Sequence, residues 1–518
     1  MRHLLKRVLL CALAYLPMAS FSQNTEVETP YFRPFIHFTP QKNWMNDPNG
    51  LLFYKGQYHL YFQYNPFGNN WGHMSWGHAT SPDLVNWAEH PVALREDSTM
   101  IFSGSLVYDT LNTSGFANTK DGCLVAIYTA HIEGKKQAQY LAYSTDGGMS
   151  FTKYGNNPVI DLGKRDFRDP NVFWHKSSAQ WIMAVVLPLE YKVLFYGSKN
   201  LKEWSLLSEF ANQGDLRKPW ECPALIELPL EGSNTSKWVL MLSSNGSTQG
   251  YTGMQYFVGD FDGKTFINLH DAKQALYVDH GKDVYAGIPY NGLPKERATL
   301  IAWMTNLTYA GHTPTFPWRG QMTIPRRISL RNTAGGIRLV QNPLISSEYL
   351  SQLDVFEKEN FKIKNSLDLS GNMLFANNAY LIDVELEVKS AKKVGFKIAQ
   401  ESDSVDNKKN IMETKVYYDI RKKGLILDRH KSSVMLHSQF PSIEQANYDL
   451  KNGILRLQIL VDKTSVEVFA NDGLTTMTDL IFPSEKAKRL SIFTENGKSL
   501  VKKLKIWNLQ KYEKSKKK

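Results

Sequence analysis

The sequence predicts an all-β chain of two domains, a five-bladed β-propeller followed by a C-terminal β-sandwich. Three observations carry this. A hairpin-rich unit recurs five times in the first two thirds of the chain. Strict apolar/polar alternation then replaces it, and no stretch sustains a helical period. The 518 residues exceed what one ordinary core organises. Aromatic content of 12%, with 34 Gly and 22 Pro, suits short strands and tight turns.

Taken in order, residues 1–22 read as an export leader. Arg2, Lys6 and Arg7 form a positive start, Val8 to Leu16 an apolar run, and Ser20-Phe21-Ser22 a small-x-small cleavage site. The run is too short to span a bilayer. The expected location is therefore secreted or periplasmic, with no membrane anchor. The mature chain keeps Cys123 and Cys222.

The propeller is expected over residues 31–343. Five apolar strands appear in series: Tyr58–Tyr64, Cys123–Thr129, Trp181–Leu187, Trp238–Ser243 and Thr299–Met304. Each follows a short strand with a polar or aromatic opening. The openings are Asn46-Asp47-Pro48-Asn49-Gly50, Phe102-Ser103-Gly104-Ser105, Arg168-Asp169-Pro170-Asn171, Trp220-Glu221-Cys222-Pro223 and Tyr285-Ala286-Gly287. Four units close on a turn signature, beginning Ser81-Pro82-Asp83, Ser144-Thr145-Asp146, Ser198-Lys199-Asn200 and Gly259-Asp260-Phe261-Asp262. A hairpin unit repeating every several dozen residues is the pattern of propeller blades. In such a fold the innermost strands start at one end of a funnel, so the five openings meet.

The sandwich is expected over residues 350–512, after a connection between Asn342 and Phe361 that is in part helical. Ile382, Val384, Leu386 and Val388 alternate with acidic residues, as a half-buried strand requires. Leu455, Leu457, Ile459 and Val461 repeat the pattern, and Asn471-Asp472-Gly473 signals a hairpin.

The formal net charge of +11 raises the question of nucleic acid. Part of it sits in a solvated tail, Lys514 to Lys518, and no nucleic-acid motif accompanies it.

Three acids stand in the openings: Asp47, Asp169 and Glu221. Glycoside hydrolysis needs one carboxyl to protonate the leaving oxygen and another at the anomeric carbon. Asp47-Pro48-Asn49-Gly50 fits a plain turn equally well, and Asp169-Pro170 taken alone favours a turn. Glu221, between Trp220 and Cys222 at the head of an apolar strand, has no such excuse. Their recurrence in blade openings is what favours chemistry.

The chain resembles glycoside hydrolase family 32, the invertase, inulinase and levanase group. The resemblance rests on Trp44-Met45-Asn46-Asp47-Pro48-Asn49-Gly50, Phe102-Ser103-Gly104-Ser105, Phe167-Arg168-Asp169-Pro170, Trp220-Glu221-Cys222-Pro223 and Pro317-Trp318-Arg319-Gly320, in family order. It implies the same propeller-plus-sandwich architecture. It also implies a retaining hydrolase that releases fructose from β-fructans, with Asp47 as nucleophile, Glu221 as acid/base and Asp169 on the fructosyl hydroxyls. Ser465-Val466-Glu467-Val468-Phe469 resembles the family's C-terminal signature.

Around the acids, Trp71 and Trp318 are expected as sugar platforms, while Trp76 is balanced between pocket and core. Asn46, Gln63, Phe102 and Ser103 are expected to contact substrate, and Arg168 to orient carboxylates. Tyr285 and Asp283 are expected just behind. Cys222 is expected as a free thiol, because a bridge to Cys123 would crowd the pocket. His73 and His78, an odd number apart, cannot share a ligand from one strand face, and no metal or cofactor is expected. The expected partner is a fructan or fructo-oligosaccharide, and the sandwich is a candidate homodimer surface. A non-catalytic sugar-binding propeller, an endo-acting levanase or inulinase, and an inverting glycosidase on another five-bladed propeller are the rivals.

Overall fold

The computed structural model describes residues 31–117, 121–244, 253–371, 378–401, 412–433 and 436–510. The expected leader, residues 1–22, and the end of the chain past residue 510 lie outside them.

Five sheets, each an antiparallel series of four strands at its centre, follow one another along residues 43–343. Their innermost strands are Asn43–Tyr54, Met100–Asp109, Arg168–His175, Glu221–Pro229 and Tyr285–Pro289. The strands next to these are covered on both faces by neighbouring blades. They are therefore near-continuous apolar runs: Cys123–Ile132 reads CLVAIYTAHI and Gln180–Leu187 reads QWIMAVVL, almost wholly buried. Outermost strands such as Ser205–Ala211 are largely solvated.

The closing signatures are side-chain-built turns between third and fourth strands. Asp83 Oδ1 accepts from Asn86 N–H at 2.8 Å, Asp146 Oδ1 from Met149 N–H at 3.0 Å, and Asn200 Oδ1 from Glu203 N–H at 2.9 Å. In the fourth unit Asp262 Oδ1 plays that part for Thr265 N–H at 2.7 Å.

A two-residue strand closes the ring. Trp318–Arg319, an excursion from the fifth blade, pairs in parallel with Asn43–Trp44 of the first.

The only α-helix among the described residues, Ser347–Ser351, lies in the connection. Ten strands then form one hydrogen-bonded sheet folded into two layers. The fold runs through Arg489–Asn508, whose first part pairs with Lys393–Gln400 and whose second pairs with Tyr380–Glu387. The strand kinks at Asn496 and Gly497, both at positive φ, and a Cβ on Gly497 would meet Ser390 O at 2.2 Å. Ile382, Val384, Leu386, Leu455, Leu457, Ile459 and Val461 fill the space between the layers.

Buried ion pairs join propeller and sandwich. Glu467 of the C-terminal signature accepts from Arg326 Nη2 at 2.6 Å and Ile324 N–H at 2.9 Å, and its Oε1 lies 2.8 Å from His37 Nε2. His37 Nδ1 is 2.8 Å from Asp462, and Arg326 Nη1 is 3.0 Å from Asp279. The signature residues therefore serve the domain interface.

Candidate active site

Each innermost strand carries an irregularity at its opening, where three residues advance against two on the neighbouring strand. The shifts fall between Met45 and Pro48, Ile101 and Gly104, Arg168 and Asn171, Glu221 and Ala224, and Tyr285 and Ile288. A β-bulge re-aims side chains and ends regular pairing. Here five of them turn polar groups into one funnel mouth. Asp169, Cys222 and Ala286 sit at φ of 65°, 46° and 52°, a left-handed region that non-glycine residues rarely adopt. Such strain gathers at functional sites. At Gly104 a Cβ would lie 2.1 Å from Ile127 O, so only glycine lets the second opening lie against its neighbour.

The mouth encloses a pocket of about 670 Å³. Asp47, Asp169, Glu221, Asn46, Gln63, Trp71, Phe102, Ser103 and Arg168 all line it. Asp47 Oδ2 accepts from Ser103 Oγ at 2.7 Å, and the Cys222 thiol lies 3.6 Å away. The same thiol is 3.7 Å from Asp169 Oδ2, which accepts from Cys222 N–H at 2.9 Å. Asp169's own N–H donates to Thr129 Oγ1 at 2.9 Å. Glu221 is held at both oxygens. Arg168 Nε and Nη2 donate to Oε1 at 3.1 and 2.9 Å, and the Tyr285 hydroxyl donates to Oε2.

Burial pushes the Asp47 carboxyl up; the Ser103 hydroxyl pulls it back, and the charge of Glu221 adds to the rise. Burial also lifts Asp169, to about 7, against the pull of Arg168. Burial and then the neighbouring charge of Glu221 drive the Tyr285 phenol well up, so it stays a donor.

The rim is aromatic. Trp71 is 53% exposed and meets Phe102 edge-on at 6.0 Å, while Phe102 stacks on His131 at 4.4 Å. Deeper, Gln63 Nε2 and Trp303 Nε1 are buried without a hydrogen-bond partner among the described residues, although both residues line the pocket. Buried donors are normally satisfied, so these two are suited to sugar hydroxyls.

Two expected residues lie elsewhere. Trp318 is 1% exposed and carries the Arg33 guanidinium on its ring at 3.7 Å. Its strand closes the propeller ring, which turns the indole into the core, toward a small void beside the pocket. Asp283 does not reach Glu221; it pairs with Arg429 and Tyr309 at the domain interface. Trp76 belongs to the core, its Nε1 donating to Phe102 O at 3.2 Å. Among the described residues Cys123 and Cys222 are free, not joined to each other. His73 sits 2.6 Å from Glu96 at the surface, whereas His78 is buried and stacked on Tyr61 at 4.2 Å.

The sequence gives less warning of Trp44, Gln137, Asp166 and Trp303, which also line the pocket. Trp44 opens the first matching motif, and its Nε1 donates to Asn46 Oδ1 at 2.8 Å. Asp166 and Gln137 take the remaining arm of Arg168, both from Nη1, at 2.9 and 3.2 Å. Only proximity to Arg168 in sequence marks Asp166, and nothing local marks Gln137.

Residues 37–343 match the family model "Glycosyl hydrolases family 32 N-terminal domain", and residues 350–508 match "Glycosyl hydrolases family 32 C terminal". The levanase of Bacillus subtilis is 44% identical over 495 residues, which cover 93% of this chain and 71% of that protein. An extracellular exo-inulinase of Aspergillus awamori is 38% identical over 523 residues, covering 94% of this chain and 96% of its own. The crystal structure of exo-inulinase from Aspergillus awamori superposes with a TM-score of 0.85 at 36% identity, covering 93% of this chain and 99% of that one. A fructofuranosidase from Schwanniomyces occidentalis, complexed with fructose, gives 0.84 at 37%, covering 92% and 98%. Two matched domains, five bulged openings and relatives matched along nearly the whole chain lead to one assignment: this chain belongs to glycosyl hydrolase family 32.

Proposed function

We propose that the protein is a retaining exo-β-fructosidase, releasing fructose from the non-reducing end of levan or inulin, of fructo-oligosaccharides and of sucrose. The observation that carries this is the contrast between two carboxylates in one pocket. Asp47 takes the Ser103 hydroxyl and the Cys222 thiol, with no cation on it among the described residues, and stays available as a nucleophile. Glu221 is fixed by Arg168 and Tyr285 in the orientation of an acid.

In the first step the proton of Glu221 goes to the glycosidic oxygen while Asp47 attacks the anomeric carbon. The bond to the leaving sugar breaks and a fructosyl ester forms. In the second, Glu221 takes a proton from water, whose oxygen displaces Asp47 and yields fructose with configuration retained. Asp169, deep in the wall, accepts the fructosyl hydroxyls and faces the positive charge of the transition state. A funnel floored by five strand openings suits a chain end better than the middle of a polymer.

The named activities of the levanase, exo-inulinase and invertase relatives support this substrate class. Among the described residues no helix is long and apolar enough to cross a membrane. Export through residues 1–22 is part of the proposal, supported by extracellular relatives; mass spectrometry of the mature N-terminus tests it. Pairing of two copies through the sandwich is a further proposal, decided by sedimentation.

Product chromatography on levan, inulin and sucrose tests the activity. Free fructose as the sole early product on levan and inulin, and fructose with an equal amount of glucose from sucrose, is expected. An early ladder of oligomers with sucrose untouched would establish endo action instead.

A further inference from the structure

Arg429 belongs to the sandwich, on the strand Gly424–Lys431, yet it is 0% exposed and buried against the propeller. Its Nη1 donates to Asp283 Oδ2 at 2.5 Å and to Leu480 O at 2.9 Å, and its Nη2 donates to Tyr309 OH at 2.6 Å. The Tyr309 hydroxyl in turn donates to the other oxygen of Asp283. Each of these two propeller residues leads into the pocket. Tyr285, two residues after Asp283, donates to Glu221 Oε2. Leu307, Ala310 and Gly311, which flank Tyr309, form part of the pocket wall.

We infer that the sandwich is a working part of the active site, with Arg429 as a positioning residue that sets Tyr285 against Glu221 and fixes the wall at Tyr309. This rests on Glu221 being the acid/base.

The backbone supports it. Segment 280–283 lies along the sandwich strand Thr475–Leu480: His280 N–H donates to Thr476 O at 2.8 Å, and Lys282 and Asp283 N–H donate to Thr478 O at 3.1 Å. Leu480 N–H returns a bond to Asp283 Oδ2 at 2.7 Å. A Cβ at Gly281 would lie 2.2 Å from Thr478 N, so only glycine permits this approach. Asn306, at the foot of the wall, donates from Nδ2 to Lys282 O at 3.1 Å and thereby ties wall and segment together. The carboxylate therefore takes donors from three elements, and moving it moves both arms. An arginine is suited to this because its planar fork serves two acceptors at once.

The ratio of activities on substrates with poor and good leaving groups reports on the arrangement. The groups facing Glu221 are Arg168, Tyr285 and Cys222, with the charges of Asp47 and Asp169 close by. Arg429 itself is faced by Asp283, Asp479, Glu444, Lys282 and Tyr309. The Tyr285 hydroxyl aims Glu221 by donating to its Oε2. Displacing Tyr285 misaims the acid, which costs most where the leaving group must be protonated.

The experiment measures kcat/KM and melting temperature for Arg429→Met, Arg429→Lys, Tyr309→Phe, Tyr285→Phe and Glu221→Ala, the kinetics on sucrose and on an aryl β-fructofuranoside with a good leaving group. Arg429→Met and Tyr285→Phe are expected to lose about tenfold on sucrose, the scale of one hydrogen bond to a charged group. Both should lose less on the aryl substrate. Arg429→Lys, which keeps the charge without the fork, should fall between Arg429→Met and wild type. Tyr309→Phe, isosteric and well placed to fold, should show the same pattern at smaller size. A lower melting temperature with the ratio of activities on the two substrates unchanged would reduce Arg429 to a structural anchor and overturn the inference. Equal losses on both substrates in Glu221→Ala would instead overturn the acid/base assignment beneath it.

Discussion

Arg168 grips Glu221 by a single oxygen, Nε and Nη2 both donating to Oε1 at 3.1 and 2.9 Å. An arginine has no acceptor, so the proton for the leaving group is better carried on Oε2, beside the Tyr285 hydroxyl. The geometry thus chooses which face of the acid meets the glycosidic oxygen.

Replacing Arg168 by Met removes that choice and takes the arginine donor from Asp166 Oδ1 and from Glu221 Oε1. A loss in kcat/KM of roughly 10²- to 10³-fold is expected, the scale of losing a preorganised donor in a water-poor site. Arg168→Lys should recover little of it, because a point charge cannot span both groups. Steady-state kinetics on sucrose, with circular dichroism to confirm folding, checks both variants.

Ser103 favours ionised Asp47 by donating to it at 2.7 Å, in opposition to burial. The nucleophile must be ionised, and burial places its titration above the usual carboxylate range. Activity is therefore lost as pH falls through that raised value. Ser103→Ala removes a donor to the charged form, so the acid limb of kcat/KM should move to higher pH. An unmoved limb would show that another group sets it.

At the domain interface, burial works to lower His37, but Asp462 and Glu467 reverse this and lift it to about 9. A raised histidine contributes fully below its unfolded value of about 6.5, and the contribution is lost as pH rises through about 9. Melting temperature should accordingly fall between pH 7 and pH 10, and His37→Gln should flatten that slope. Glu467→Gln strips one partner from two buried cations and should cost about 3–5 kcal/mol. Thermal unfolding across pH measures both.

The blades are legible in the sequence because their second strands are buried on both faces, which forces runs such as Trp181–Leu187 to be apolar throughout. The acids are legible because they recur in the blade openings, and because Glu221 heads an apolar strand without turn chemistry to explain it. The bulges are not, since one extra residue in a strand leaves the apolar pattern on either side intact. Trp318 misleads for a related reason: a motif fixes a residue's identity, and the short parallel strand that buries its ring forms only when the fifth blade meets the first. Asp283 is two residues from Tyr285, yet its partner Arg429 comes from another domain, a pairing no local window contains. The strand Arg489–Asn508 carries Asn496-Gly497, a turn signal in sequence, and the structure spends it on a kink that folds one sheet into two layers.

The roles assigned to Asp47 and Glu221 can be separated in one measurement. Glu221→Ala, given an aryl β-fructofuranoside whose leaving group needs no protonation, should form the fructosyl ester and then stall for want of a base to activate water. Denaturing the mixture with acid, digesting it and mapping the peptides by mass spectrometry should find one fructosyl group, on Asp47. An adduct on Asp169 instead, or turnover of the aryl fructoside through no covalent intermediate with the inverted anomer released first, would contradict the mechanism.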